Sequence, residues 1–219
     1  MQRSTILLMY ASVFLFSCNR RNLPTTETAD IESMNAVRNY AYADSSGRHL
    51  LLNNSLPKSR INYTAPDGTN YVYAVFWTQL KNETTHAVDL NIEFPSAAFE
   101  FPRSSGNFML LRIPSDTVAF EKLTMPEYGL DVKTFLDTGI HKSYAFNRTV
   151  GSKDSTGFYV VALSKNGAGG ALRTALSIHG QNLLYKLSVF NNRTPELALI
   201  DTIQIHCGSI NLPNLLLQN

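Results

Sequence analysis

Side chains able to carry chemistry are thinly spread along this chain. His206 stands beside Cys207, a pairing that could serve a metal or a nucleophile and its base. Neighbours in a strand point to opposite faces, however, so the two do not easily reach one ion. The other histidines, His49, His86, His141 and His179, fall mostly at expected strand ends or turns. No cysteine or histidine pair has zinc-site spacing, and the GxSxG, HExxH and EF-hand patterns are absent. Lys165 to Gly170 is glycine-rich but joins two expected strands, so it lacks the helix amino terminus of a phosphate cradle. The aromatics Tyr71, Tyr73 and Trp77 offer a different chemistry. At strand spacing they share one face, and beside Asp89, Asn91 and Glu93 they suit stacking on a sugar or a peptide. The competing reading makes them a second core layer, covered by another strand, a helix or the tether. Neither a cofactor nor a metal is expected. If the three rings prove buried, attention moves to the loops around 165–170 and 191–196.

The elements that must position these residues read as β. Tyr71 to Leu80 is apolar at nearly every position, as in a central strand covered on both sides. Val88, Leu90, Ile92 and Phe94 alternate with polar residues, the pattern of a half-buried strand. The turn-like Asn82 to His86 between them predicts a hairpin, with Val72, Ala74, Phe76 and Leu80 on the same apolar face. Further strands are expected at Phe108–Ile113, Val118–Lys122, Ser143–Val150, Phe158–Ser164, Ala171–His179, Leu183–Phe190 and Leu197–His206. Gly180-Gln181 fits a two-residue type II′ turn. That turn sets Ile178 opposite Leu183, Leu176 opposite Tyr185, Thr174 opposite Leu187 and Leu172 opposite Val189, which makes one face almost wholly apolar. Leu130, Val132, Phe135 and Leu136 form a helical stripe that Gly139 would end at C′, and this helix is expected to close one end of the domain. The sum is an all-β fold, an antiparallel β-sandwich of immunoglobulin-like or jelly-roll type with one short helix.

The amino terminus carries an address. Arg3 gives a short positive start, and an apolar run extends from Ile6 to Phe16. As a helix that run covers roughly 16 Å against a bilayer core of about 30 Å, so it reads as the h-region of a secretory signal. It ends in Leu15-Phe16-Ser17-Cys18. This resembles the lipobox of bacterial lipoproteins: an aliphatic residue, a tolerated one, a small one, then the cysteine. The resemblance implies that the Cys18 thiol is diacylglycerylated, that residues 1–17 are removed, and that the new amino terminus is acylated by a chain such as palmitate. Two or three chains anchor stably where one is marginal. Asn19, in a place where aspartate favours inner-membrane retention, implies the outer membrane, with periplasmic and surface faces both open. An ordinary cleaved signal would need an A-x-A-like site, which Tyr10 to Phe16 does not supply. Three short segments, Asp116-Thr117-Val118, Asp154-Ser155-Thr156 and Asp201-Thr202-Ile203, resemble the O-glycosylation motif of one bacterial lineage. That resemblance makes Thr117, Ser155 and Thr202 candidate acceptors.

The organisation expected is therefore a signal peptide over 1–17, an anchor and polar tether over 18–48, and a β-sandwich over 49–219. Within the tether, Ile31, Met34, Val37 and Ala41 behind Asp30 suit a short helix. The chain has 219 residues, a net charge of +2 and two cysteines. The near-neutral charge lacks the footprint of a nucleic-acid binder, and with Cys18 lipidated Cys207 has no internal partner and should be buried. The expected function is a non-enzymatic binding or assembly module, held to the membrane and facing a protein or glycan ligand. The alternatives are an envelope hydrolase or accessory subunit, and a fimbria-like subunit that polymerises by strand exchange.

Overall fold

The computed structural model describes residues 36–43, 47–103, 107–115, 118–140, 142, 144–191, 193, 198–211 and 216–217. In chain order its strands are β1 (Ala36–Ala43), β2 (His49–Ser55), β3 (Lys58–Thr64), β4 (Asn70–Asn82), β5 (Val88–Ile92), β6 (Phe99–Glu100) and β7 (Asn107–Ile113). They continue with β8 (Phe146–Val150), β9 (Ser155–Ser164), β10 (Ala171–His179), β11 (Asn182–Phe190), β12 (Leu199–Asn211) and β13 (Leu216–Leu217). One sheet runs β13-β1-β2-β4-β9-β7-β6, with β3 also on β4; the other runs β10-β11-β12-β5-β8. Every strand pair described is antiparallel. The fold is all-β and sandwich-like, with one α-helix among the described residues.

The inner core lies between the sheets. Leu50, Leu52, Phe76, Leu80, Phe108, Leu110, Phe158 and Val160 from the larger sheet meet Val88, Leu90, Ile92, Leu176, Leu183, Tyr185 and Leu187 from the smaller. Cys207 is fully buried there, as a small apolar residue would be. The β10–β11 hairpin has the register that its turn and its alternation require, from Leu172 opposite Val189 to Ile178 opposite Leu183. Gly180 takes φ 63 while Gln181 keeps negative φ, as a type II′ turn demands.

Several expectations are corrected. Tyr71–Leu80 and Val88–Phe94 share one apolar core, as their alternation suggested, but they are not a hairpin. β4 pairs with β2, β3 and β9, whereas β5 pairs with β8 and β12 in the facing sheet. The chain crosses the sandwich between them, and two facing strands present the same alternation as two paired ones. The sheet begins at Ala36, upstream of the boundary expected at 48, and β1 occupies part of the segment read as a tether helix. Val118–Lys122 is not a strand: Phe120–Lys122 is a 3-10 turn, closed by Lys122 N–H on the Ala119 carbonyl.

The helix, α1 (Val132–Gly139), starts at Asp131, whose carboxylate accepts the Thr134 N–H at 3.2 Å. Gly139 sits in its last turn and not beyond it. α1 does not close an end of the sandwich. Together with Val118, Leu123, Tyr128 and Ile140, its residues Val132 and Leu136 cover the outer face of β4, β7 and β9. That face presents Tyr73, Val75, Trp77, Leu111, Tyr159, Val161 and Leu163. Burying side chains of this size is worth about 1.5–3 kcal/mol each, so the outer layer is a second core in its own right.

Candidate functional site

The larger sheet has a break that creates a cleft. β2 pairs with β4 from Asn82 back to Thr78, and β3 takes over the same edge at Val75. Between them the chain passes Leu56 and Pro57, and proline has no N–H to give a ladder. Ser55 Oγ accepts the Trp77 N–H at 2.8 Å across this gap. On the facing sheet the edge strand β10 packs against β2 and is tied to it by a buried hydrogen bond, in which Asn54 Oδ1 accepts the Leu176 N–H at 2.9 Å. Nearer its start no such clasp is seen, and there a cavity of about 250 Å³ opens at one end of the sandwich.

Its walls are Val72, Ala74, Phe108, Ala162 and Leu172, with the loop Lys165–Gly170 folded over them through Gly167 and Ala168. Ser164 is buried at its base, and its Oγ accepts the Asn166 N–H at 3.3 Å, which holds the loop's first turn. Gly170 packs so tightly on the end of β11 that a Cβ there would lie 2.3 Å from the Phe190 carbonyl oxygen. Exposed Arg60 lies over the loop; a Cβ at Gly167 would come within 3.2 Å of its Nη2. Among the described residues no histidine and no carboxylate lines this cleft. It offers apolar contact beneath a single cation.

The aromatic platform is not a surface. Tyr73 is 4% exposed and Trp77 1%, both inside the outer core, and only Tyr71 is half-buried. α1 and the turns before it cover the rings, because exposing that whole apolar face would forfeit several kcal/mol. Tyr73 donates its hydroxyl to Glu127, and burial with that carboxylate beside it raises its pKa above the ordinary tyrosine value. Tyr63 donates to Asp137 Oδ1 at 2.9 Å, and burial followed by this hydrogen bond pushes it up to about 12. Tyr128 is also pushed up to about 12, chiefly by burial; its hydroxyl donates to the Leu56 carbonyl. These tyrosines are packing groups whose hydroxyls are spent on the protein. Glu127 and Tyr128, which fasten this layer, hold positive φ at 48 and 58.

The remaining candidates are scattered. Cys18 and Thr117 lie outside the described residues. Ser155 is exposed at the start of β9, whereas the Thr202 hydroxyl is engaged with Ser188 Oγ at 2.9 Å across β11 and β12. Ser155 and Thr202 lie on different sheets. His206 is exposed and Cys207 buried, on opposite faces of β12 as strand geometry requires. Among the described residues no group of three or more His, Cys, Asp or Glu side chains is placed to hold a metal. Of the two loops named as a second choice, 165–170 walls the cleft; 191–196 leaves β11 at the same end, since Ala171 pairs with Phe190, but most of it is outside the described residues. No protein-family model and no curated protein matches the sequence.

Proposed function

We propose that this chain is a lipid-anchored protein of the bacterial envelope, held at the outer membrane through Cys18, whose sandwich is a binding module. The observation that carries the binding reading is the cleft beneath Lys165–Gly170, a cavity of about 250 Å³ walled mainly by apolar side chains with Arg60 at its rim. Such a concave, largely apolar site with a few polar groups is the usual form of a binding pocket. A structural subunit that exchanges strands would be expected to carry an unpaired terminal strand. Here β1 and β13, the first and last described strands, pair with one another, which favours the binding module. The Leu15-Phe16-Ser17-Cys18 sequence supports the anchor.

Two measurements test this. Alanine-methyl NMR of the full chain should show the Ala74, Ala162 and Ala168 methyls shifting when toluene is added. The half-buried Val72, replaced in Val72→Trp, should fill the cleft and abolish the shift while leaving the fold intact. Methyls that ignore toluene in the native chain would reduce the cleft to loose packing. For the anchor, cells fed a labelled fatty acid should label the native protein and not Cys18→Ala; equal label in both would overturn lipidation.

A further inference from the structure

We propose that the cleft captures the carboxy-terminal end of an extended peptide, with its last side chain apolar and its carboxylate at the Arg60 rim. The inference rests on the binding reading above and names the chemistry of its ligand.

β10 is an edge strand of the smaller sheet. Among the described strands β10 pairs only with β11, and the two-residue turn makes His179 and Asn182 the closing hydrogen-bonded pair. Counting back by twos, Leu172, Thr174, Leu176 and Ile178 direct their backbone N–H and C=O groups away from β11. The Leu176 N–H is taken by Asn54, which closes the edge from that point onward. Upstream, the Leu172 carbonyl accepts from Nη1 of its neighbour Arg173 at 2.8 Å, a local cover that an incoming strand N–H can replace. Leu172 also lines the cleft. A strand edge opening beside an apolar pocket is the arrangement that recognises an extended peptide: main-chain bonds give affinity and the pocket selects a side chain. The Asn54 clasp limits the pairing to the last two or three residues of the peptide.

The size of the cleft suits one side chain. A cavity of roughly 150 Å³ lined by apolar side chains admits benzene. One of about 250 Å³ therefore takes a single Leu, Val or Phe side chain and little more.

Charge at the rim suits a carboxylate. Antiparallel addition to β10 puts the peptide's carboxy terminus at the start of that strand, beside Lys165–Gly170. Arg60 lies over this loop and Arg173 follows Leu172, while none of the described residues that line the cleft is a carboxylate. A terminal carboxylate meets cations there and no opposing charge from the walls. A buried sugar would instead need polar groups and open aromatic faces that the walls do not offer.

The test uses the full chain with labelled alanine methyls, titrated with tetrapeptides ending in Leu, Val or Phe. Each peptide is supplied as free acid and as carboxy-terminal amide, and sodium octanoate is the non-peptide comparison. At least one free acid should shift the Ala74, Ala162 and Ala168 methyls, and its amide should bind about tenfold more weakly. Arg60→Ala, at an exposed position, should bring the acid down to the level of the amide without altering the amide. Equal binding of acid and amide would overturn the carboxylate assignment. Octanoate binding as tightly as the best peptide, or alone, would overturn the peptide and make this an acyl-chain site. If toluene moves the methyls and no peptide does, the binding reading stands and this inference falls; if nothing moves them, both fall.

Discussion

Cys207 shows how one buried side chain links the core to solution conditions. Burial pushes its thiol up to about 12 from an ordinary 9, and its Sγ reaches the Leu183 carbonyl at 3.5 Å. The thiol is neutral when protonated, so above pH 9 the unfolded chain releases a proton that the folded chain retains. The stability this contributes is complete below pH 9 and is lost as pH rises toward 12. Between pH 9 and pH 10 the loss amounts to about 1 kcal/mol. Urea unfolding at pH 8, 9 and 10 should show this decline in the native chain and its absence in Cys207→Ala, apart from a constant offset. Parallel curves for the two proteins would mean that the thiol ionises freely in the folded state. Asn54 is the other decisive residue at this scale. Its Oδ1 accepts from both the Leu176 N–H and the Thr78 hydroxyl, so a single carboxamide joins the two sheets. Asn54→Leu leaves a buried N–H without an acceptor and should cost about 1–3 kcal/mol in denaturant unfolding.

Two glycines test the elements. In the β10–β11 turn Gly180 has φ 63 but open space around it, so Gly180→Val should cost about 1 kcal/mol from backbone strain alone. Gly208 in β12 combines φ 136 with a neighbour: a Cβ would lie 2.0 Å from the Asn91 carbonyl oxygen on β5. Gly208→Ala should therefore cost more, about 3 kcal/mol, because strain and collision add. Thermal unfolding of the two variants gives the ranking, and the reverse order would contradict the β5–β12 contact. The same elements show what the amino-acid order could disclose. The β10–β11 register was legible because turn type and alternation are both local. The partner of β4 was not, because alternation specifies which face is buried and is silent about which strand lies alongside. Strand spacing favoured core over platform for Tyr73 and Trp77 but could not show what covers them, since that cover comes from 118–140 and its docking is a tertiary event. The loop 165–170 stood out by composition, yet the cleft beneath it depends on the break at Pro57, far away in the chain.

The whole molecule is interleaved. The chain lays down β1 to β4 in one sheet, crosses for β5, returns for β6 and β7, crosses for β8, returns for β9, and ends its long strands with β10 to β12 in the smaller sheet. Among the described strands of that smaller sheet, β12 alone joins the β10–β11 hairpin to the β5–β8 pair. Deleting 199–219 should thus abolish cooperative unfolding altogether, with near-ultraviolet circular dichroism lost. A truncated chain that kept a sharp transition would show that the larger sheet stands alone. The position of β12 also has a consequence in time. A chain that leaves a ribosome or threads a translocation channel amino terminus first exposes β5 and β8 long before their central neighbour arrives. Until β12 emerges they have no finished sheet to join. The late place of β12 in the chain acts as a delay built into the topology, leaving the smaller sheet unfinished until residues 199–211 are free to pair.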